Sequence, residues 1–387
     1  MASTSGLSRR RAPAASPAAS LAAPAPAHSR PASPQVQGQG QAADAHGHKI
    51  AYDERDLGDA EEDRINPRLT LMEEVLLLGL KDKQGYLSFW NDNISYTLRG
   101  CIVLELALRH RIAMVRDPGR RRFPLADRYI EVVDDRLTGE VLLDEALKMI
   151  KVSERMSVGT WIDLMSGETW NVMKIGYQLK QVRERLAKGL VDKGVLRTEK
   201  RNFLLFDMAT HPVSDPAFKD DVLRRTLSLL TSRTAAVPTS HLYGDAVRYR
   251  TIRAVAMICA AFAANVLENA LVHLGYDQRE TAFAKADELL ADFSQWPFGA
   301  YRDGGGPGGG GPGGAAAPRP AAIGAGGNSA SAESANLAEI MRLARLEIVG
   351  QGAGDQPGDA ERQTMRELHL EVVAACVEVF RRMDSLL

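Results

Sequence analysis

From about residue 67 onward, apolar residues recur along most of the chain at the i, i+3, i+4 spacing of helices that bury one face. Thr70-Leu-Met-Glu73 has the form of a capping box and predicts a helix running to about residue 80. A short strand or extended piece over 86–90 follows the turn 81–85, and a second helix is predicted over 91–110. This helix is almost wholly apolar after Gly100, which places it at the centre of the fold, with Arg99 a lone cation ahead of the buried run. Residues 111–135 read as a hairpin with a basic loop at 116–122. Segments 142–150, 160–165, 216–232, 249–274 and 281–293 read as helices, and 337–348 and 359–386 are amphipathic. The pattern predicts a mainly α protein, a single helical domain with short β-hairpins.

Residues 174–208 break the near-neutral balance of the chain. Nine Lys/Arg stand against three acids between 174 and 201, while the whole chain has a formal net charge of −1. Leu179, Val182, Leu186 and Leu190 predict a helix across the first half, with Lys180, Arg183 and Ala187 on a neighbouring line and Gly194 as its stop. Lys180 and Arg183, at i and i+3, would then share a helix side and reach one phosphate. The second half reads as a hairpin: strands at 195–199 and 203–208 around a Lys200-Arg201-Asn202 turn. Phe203 and Leu205 would face one way, Leu204 and Phe206 the other. One pair then lacks a core. Either a larger sheet buries the strand on both faces, or the apolar residues and adjacent cations meet an anionic membrane.

The remaining sequence narrows the function. Residues 1–64, rich in Ala, Pro, Ser and Gln, read as an unstructured tail whose main feature is Arg9-Arg10-Arg11; six prolines between 13 and 34 oppose a targeting helix. Residues 303–331, with GGGPGGGGPGG near their start, read as a flexible linker. Cys101, Cys259 and Cys376 lie far apart in apolar stretches, as buried free thiols do. No uninterrupted run of apolar residues is long enough to span a bilayer, so any membrane contact is from outside. No nucleophile elbow, P-loop, HExxH or Cys/His metal set is present, and the scattered histidines His110, His273 and His369 read as packing or surface residues. The expectation is a protein that is not an enzyme and needs no cofactor or metal. A helix followed by a basic-tipped hairpin also has the outline of a winged-helix nucleic-acid module; the apolar tip and the near-neutral whole weigh against that reading.

Six blocks carry a family resemblance: LTLMEEVLLLGLKDKQGYLSFWND, LRGCIVLELALR, TGEVLLDEALK, SGETWN, VRERLAKGLVDKGVLRTEKRNFLLFDM and EVFRRMDSLL. In order and over 69–387, these resemble the Golgi phosphoprotein 3 family, whose fungal branch serves vacuolar protein sorting. The resemblance implies one domain over 65–387, interrupted at about 303–335, on the cytosolic face of Golgi membranes with a cytosolic pool. It further implies binding of phosphatidylinositol 4-phosphate, glycosyltransferase cytosolic tails and coatomer in retrograde transport, with self-association as a dimer or tetramer and no role for nucleic acid. Residue by residue, it places the head-group pocket at Trp90, Arg99, Lys180 and Arg183. It makes Phe203, Leu204, Leu205 and Phe206 the tip of a membrane-inserting hairpin, and Arg9, Arg10 and Arg11 a coatomer-binding cluster.

Overall fold

The computed structural model describes residues 42–43, 49–50, 64–87, 93–203, 206–232, 234–300, 329–350 and 358–384. The chain divides into two units, Met1–Leu57 and Gly58–Leu387. In the first, strand β1 (Ala42–Ala43) pairs antiparallel with β2 (Lys49–Ile50). The rest of the expected tail, Arg9–Arg11 included, lies outside the described residues, as do Trp90 and most of the glycine-rich linker.

The second unit is mainly helical. Helix α1 (Leu71–Gly79) opens on the expected capping box: Thr70 Oγ accepts from the Glu73 amide at 3.4 Å, and the Thr70 amide donates to Glu73 Oε2 at 2.8 Å. Helix α2 (Asn93–Leu108) is buried along nearly its whole length, in keeping with its apolar sequence. Helices α3 (Val141–Val152) and α4 (Val158–Ser166) follow β3 (Ile112–Met114) and β4 (Ile130–Val132), which form a two-stranded antiparallel hairpin. Then come α5 (Val182–Asp192), the hairpin β5 (Glu199–Phe203) and β6 (Phe206–Thr210), and α6 (Pro216–Thr231). Helices α7 (Arg250–Ala263), α8 (Leu267–Leu271), α9 (Tyr276–Phe293), α10 (Ser329–Val349) and α11 (Asp359–Asp384) complete the unit.

Several boundaries depart from the sequence pattern. The helix expected over 249–274 breaks after Ala263, where Asn265 takes a left-handed conformation at φ 54°; asparagine tolerates this better than other non-glycine residues. Of the strand or extended piece expected over 86–90, only Tyr86 and Leu87 are described, and they lie outside any strand. Helix α10 begins at Ser329, inside the stretch read as linker, where a Ser/Ala/Glu run offers fair helix propensity.

Despite the long insertion before it, α11 lies in the core. Leu370, Val372, Val373, Cys376 and Phe380 are fully buried. Its acids also hold the basic loop. Glu371 accepts from Arg120 at 3.0 Å and Arg128 at 2.6 Å, and Glu378 accepts from the Ala126 amide at 2.7 Å. Helix α11 packs tightly on α2 at Gly100, where an added Cβ would sit 2.3 Å from Phe380 Cε1. Gly100→Ala is therefore expected to destabilise the fold by about 1–3 kcal/mol through overpacking. Chemical denaturation checks this, and Phe380→Leu in the same chain should recover part of the loss. Cys101, Cys259 and Cys376 are free and buried, as expected. His110 and His369 stack at 4.3 Å inside the fold. Burial, followed by His369 and Arg248, pulls His110 down to about 2, so it stays neutral and serves packing.

A candidate anion-binding site

Buried arginine demands a partner, because desolvating a guanidinium is costly unless a carboxylate or an anion offsets it. Most buried arginines here obey the rule. Arg253 and Arg109 share Glu105, Arg225 pairs with Glu74 and Asp221, and Arg111 pairs with Asp134. Arg99, only 6% exposed, does not. Its Nε donates to the Met165 carbonyl at 3.3 Å, Nη1 to the Ser95 carbonyl and Oγ at 2.7 Å each, and Nη2 to the Leu179 carbonyl at 2.7 Å. Every acceptor is neutral. Among the described residues, Arg99 is the one buried arginine without a carboxylate.

Its charge is held against two opposing influences. Burial, then the nearby Arg183 cation, lower the Arg99 guanidinium to about 10, with Glu184 acting the other way. The group still carries its full charge at neutral pH. Arg183, half-buried on the first turn of α5, and Lys180, exposed just before it, have no ion-pair partner among the described residues. The α5 N-terminus also lacks a side-chain cap, and a free helix N-terminus favours an anion. Arg99 and Arg183 thus lie close together where α2 meets the start of α5, with Lys180 next to Leu179, whose carbonyl accepts from Arg99.

The helix-face argument for Lys180 and Arg183 does not hold. The expected helix from residue 174 is replaced by a 3-10 turn over Val172–Tyr177 and an extended step at Gln178. Gln181, at φ 53° and ψ 38°, then turns the chain into α5, so only Arg183 is helical. Leu179 reaches the core as an extended residue, its amide donating to the Met165 carbonyl at 3.0 Å. The apolar positions 179, 182, 186 and 190 are all buried, so their spacing reported burial correctly but not the conformation. The other basic residues of the stretch are mostly engaged: Lys174 with Glu154 at 3.5 Å, Arg185 with Glu145, and Lys193 with Glu73 and Glu140 at 2.8 and 2.7 Å.

The stop at Gly194 is as expected. At φ 77° it ends α5, and the Val195 amide donates back to the Leu190 carbonyl at 2.9 Å. The hairpin beyond it is shifted from its expected register. Lys200 and Arg201 lie within β5, and Phe203 pairs with Phe206, so residues 200–202, expected as the turn, are strand. The assignment of 203/205 and 204/206 to opposite faces falls on side chains outside the described residues. Among the described residues the sheet is two-stranded, so no larger sheet surrounds the hairpin there. The base of the hairpin is pinned by His211, whose amide donates to the Gly85 carbonyl at 2.8 Å, and by the Arg201 bond to the Lys83 carbonyl. Further out, Lys200, Asn202, Asp207 and Ala209 are all exposed. The side chains of Phe203, Leu204, Leu205 and Phe206 lie outside the described residues, as does Trp90, so the site described consists of Arg99, Lys180 and Arg183.

No group of His, Cys, Asp and Glu among the described residues has the arrangement of a metal site, and no described helix is long and apolar enough to cross a membrane. Comparison with known proteins agrees with the sequence blocks. The family model described as Golgi phosphoprotein 3 (GPP34) matches residues 71–368. The chain is 54% identical over 340 residues to vacuolar protein sorting-associated protein 74 of Schizosaccharomyces pombe, covering 88% of this chain and 89% of that one. It is 48% identical over 340 residues to the protein of the same name in Eremothecium gossypii, covering 88% and 90% of the two chains. The α2–α5 junction that gathers Arg99, Lys180 and Arg183 lies within the matched region, and on these matches the chain belongs to the Golgi phosphoprotein 3 family.

Proposed function

We propose that the chain is a non-enzymatic adaptor recruited to the cytosolic face of Golgi membranes by phosphatidylinositol 4-phosphate. The observation that carries this reading is the uncompensated charge of Arg99, buried against neutral oxygens beside Arg183. A phosphomonoester supplies the missing negative charge: Arg183 can grip it with paired hydrogen bonds, Arg99 offers its charge and the one N–H not given to protein oxygens, and Lys180 contributes a mobile point charge. Trp90 completes the pocket, with an amphipathic ring suited to the interface. The hairpin tip, residues 203–206, enters the bilayer. Inserting one large apolar side chain contributes about 1.5–3 kcal/mol, and each nearby cation about 1 kcal/mol on anionic lipid. Neither suffices alone, so stable recruitment needs lipid head group, hairpin and protein cargo together. Cargo is the cytosolic tails of glycosyltransferases, coatomer docks on Arg9, Arg10 and Arg11, and the chain self-associates.

The test is co-sedimentation with phosphatidylcholine vesicles, with and without phosphatidylinositol 4-phosphate, for wild type and for Lys180→Ala/Arg183→Ala. Lys180 is exposed, Arg183 is half-buried, and neither has an ion-pair partner among the described residues, so the variant should fold normally. Pelleting that depends on the phosphorylated lipid and drops about tenfold or more in the variant is expected. Equal pelleting with and without that lipid, or a gel shift of duplex DNA by the same samples, would overturn the reading.

A further inference from the structure

The Arg99 site clasps the base of a loop that the head-group reading leaves unused. After Met165 the chain leaves the helical body and returns at Leu179, where the Leu179 amide closes onto the Met165 carbonyl at 3.0 Å. Arg99 spans the same two residues, donating to Met165 at 3.3 Å and to Leu179 at 2.7 Å. Further contacts fix the base. Gln178 Nε2 donates to the Ser166 carbonyl at 3.4 Å, Tyr177 stands edge-on to the buried Trp161 at 5.7 Å, and Ser153 Oγ donates to the Tyr177 hydroxyl at 3.2 Å.

Above this anchored base the loop turns its apolar residues outward. The 3-10 turn Val172–Tyr177 is N-capped by Asn171, whose side chain accepts from the Met173 amide at 3.0 Å. Trp170 is 103% exposed, Val172 76%, Met173 88% and Ile175 50%. Nowhere else among the described residues do four large apolar side chains stand in solvent within six consecutive positions. A soluble surface does not keep such a cluster without a use.

The surroundings identify the occupant. Lys180 and Arg183, both without an ion-pair partner among the described residues, and the charged Arg99 lie at the foot of the loop. An apolar cluster with tryptophan at its edge and cations at its foot matches the boundary of an anionic bilayer, apolar within and negative at the surface. We propose that residues 170–175 form a second membrane-contacting element, entering the same lipid surface whose head group Arg99 binds. The inference rests on the head-group reading. It adds that the membrane is met at two apolar points, this loop and the hairpin, with the anion site clasping the base of the first.

The test uses the full chain. Because the three native cysteines are buried, Met173→Cys labelled with an environment-sensitive nitrobenzoxadiazole reports the loop alone. On phosphatidylcholine vesicles containing phosphatidylinositol 4-phosphate its emission should rise and shift to the blue. Trp170→Ser/Met173→Ser should bind those vesicles about tenfold to a hundredfold more weakly than wild type, with an unchanged thermal midpoint. Labelled protein that pellets with unchanged emission would overturn the second contact while leaving the head-group reading intact. A blue shift produced by raising protein concentration without vesicles would overturn it in favour of a second copy of the chain. Failure of wild type itself to pellet would remove the head-group reading and this inference together.

Discussion

Glu105→Leu is expected to destabilise the helical body by about 3–5 kcal/mol, a loss of roughly ten degrees in melting temperature. Glu105 is fully buried at the centre of α2. Its carboxylate accepts from Arg253 Nη1 at 2.9 and 3.0 Å, from Arg109 Nε at 2.8 Å and from the Leu71 amide at 3.1 Å. One carboxylate therefore ties α2 to α7 and to the first turn of α1. Leucine would fit the volume but would leave two buried guanidiniums without a counter-charge. Breaking such a group by removing one partner costs far more than the group contributes against an apolar substitute.

The same residue gives a pH signature. Burial alone pushes the Glu105 carboxyl up, but Arg253 and Arg109 outweigh it and hold the group down to about 2, against the usual 4.5. A carboxyl depressed in the folded state adds stability that is complete above the unfolded value and is lost as pH falls through the folded one. The stability difference between wild type and Glu105→Gln should therefore be constant above about pH 5 and shrink between 4.5 and 2. Urea unfolding of both chains across that range measures it. A difference independent of pH would show that folding does not shift the carboxyl, and one that shrank as pH rose above 4.5 would show it protonated in the fold.

Arg99→Lys is expected to have the largest effect on anion binding of any conservative change in this chain. Arginine reaches Ser95, Met165 and Leu179 at once because its donors fan out in a plane. A lysine ammonium is a single point that cannot reach all three residues at once, so it loses part of this buried hydrogen bonding, at about 1–3 kcal/mol. Ionisation is the second loss. Arginine tolerates being lowered to about 10 and stays charged, whereas lysine starts about two pH units lower. The same burial, beside the same Arg183, would leave it partly neutral at neutral pH. Head-group affinity should fall about tenfold or more in Arg99→Lys. The deficit should widen as pH rises from 6 toward 9, a trend that a purely structural role for Arg99 would not produce.

The sequence was most informative where a local rule decides the outcome. The Thr70–Glu73 box, the Gly194 stop and the apolar run after Gly100 each name their own structure, and each appears as read. It was least informative where distant backbone settles a side chain's surroundings. The carbonyls of Met165 and Leu179 make Arg99 an uncompensated buried cation, and a carbonyl has no sequence signature. Lys180 fell outside α5 because Leu179 is fastened to Met165, which helical spacing alone does not reveal. Residues 200–202 are strand and not turn, because their pairing with 207–209 depends on the partner strand and not on the turn-forming residue types. The exposed loop did leave a trace, since Trp170, Val172, Met173 and Ile175 form an apolar cluster between two helices without belonging to either.

The central claim is that Arg99 holds a phosphorylated inositol head group. Calorimetric titration of wild type and Arg99→Lys with inositol 1,4-bisphosphate tests it without contributions from hairpin, loop or bilayer. The account predicts a saturable one-to-one binding heat for wild type, weakened about tenfold or more in Arg99→Lys at neutral pH. No saturable heat with wild type, or equal affinity in both proteins, would contradict it.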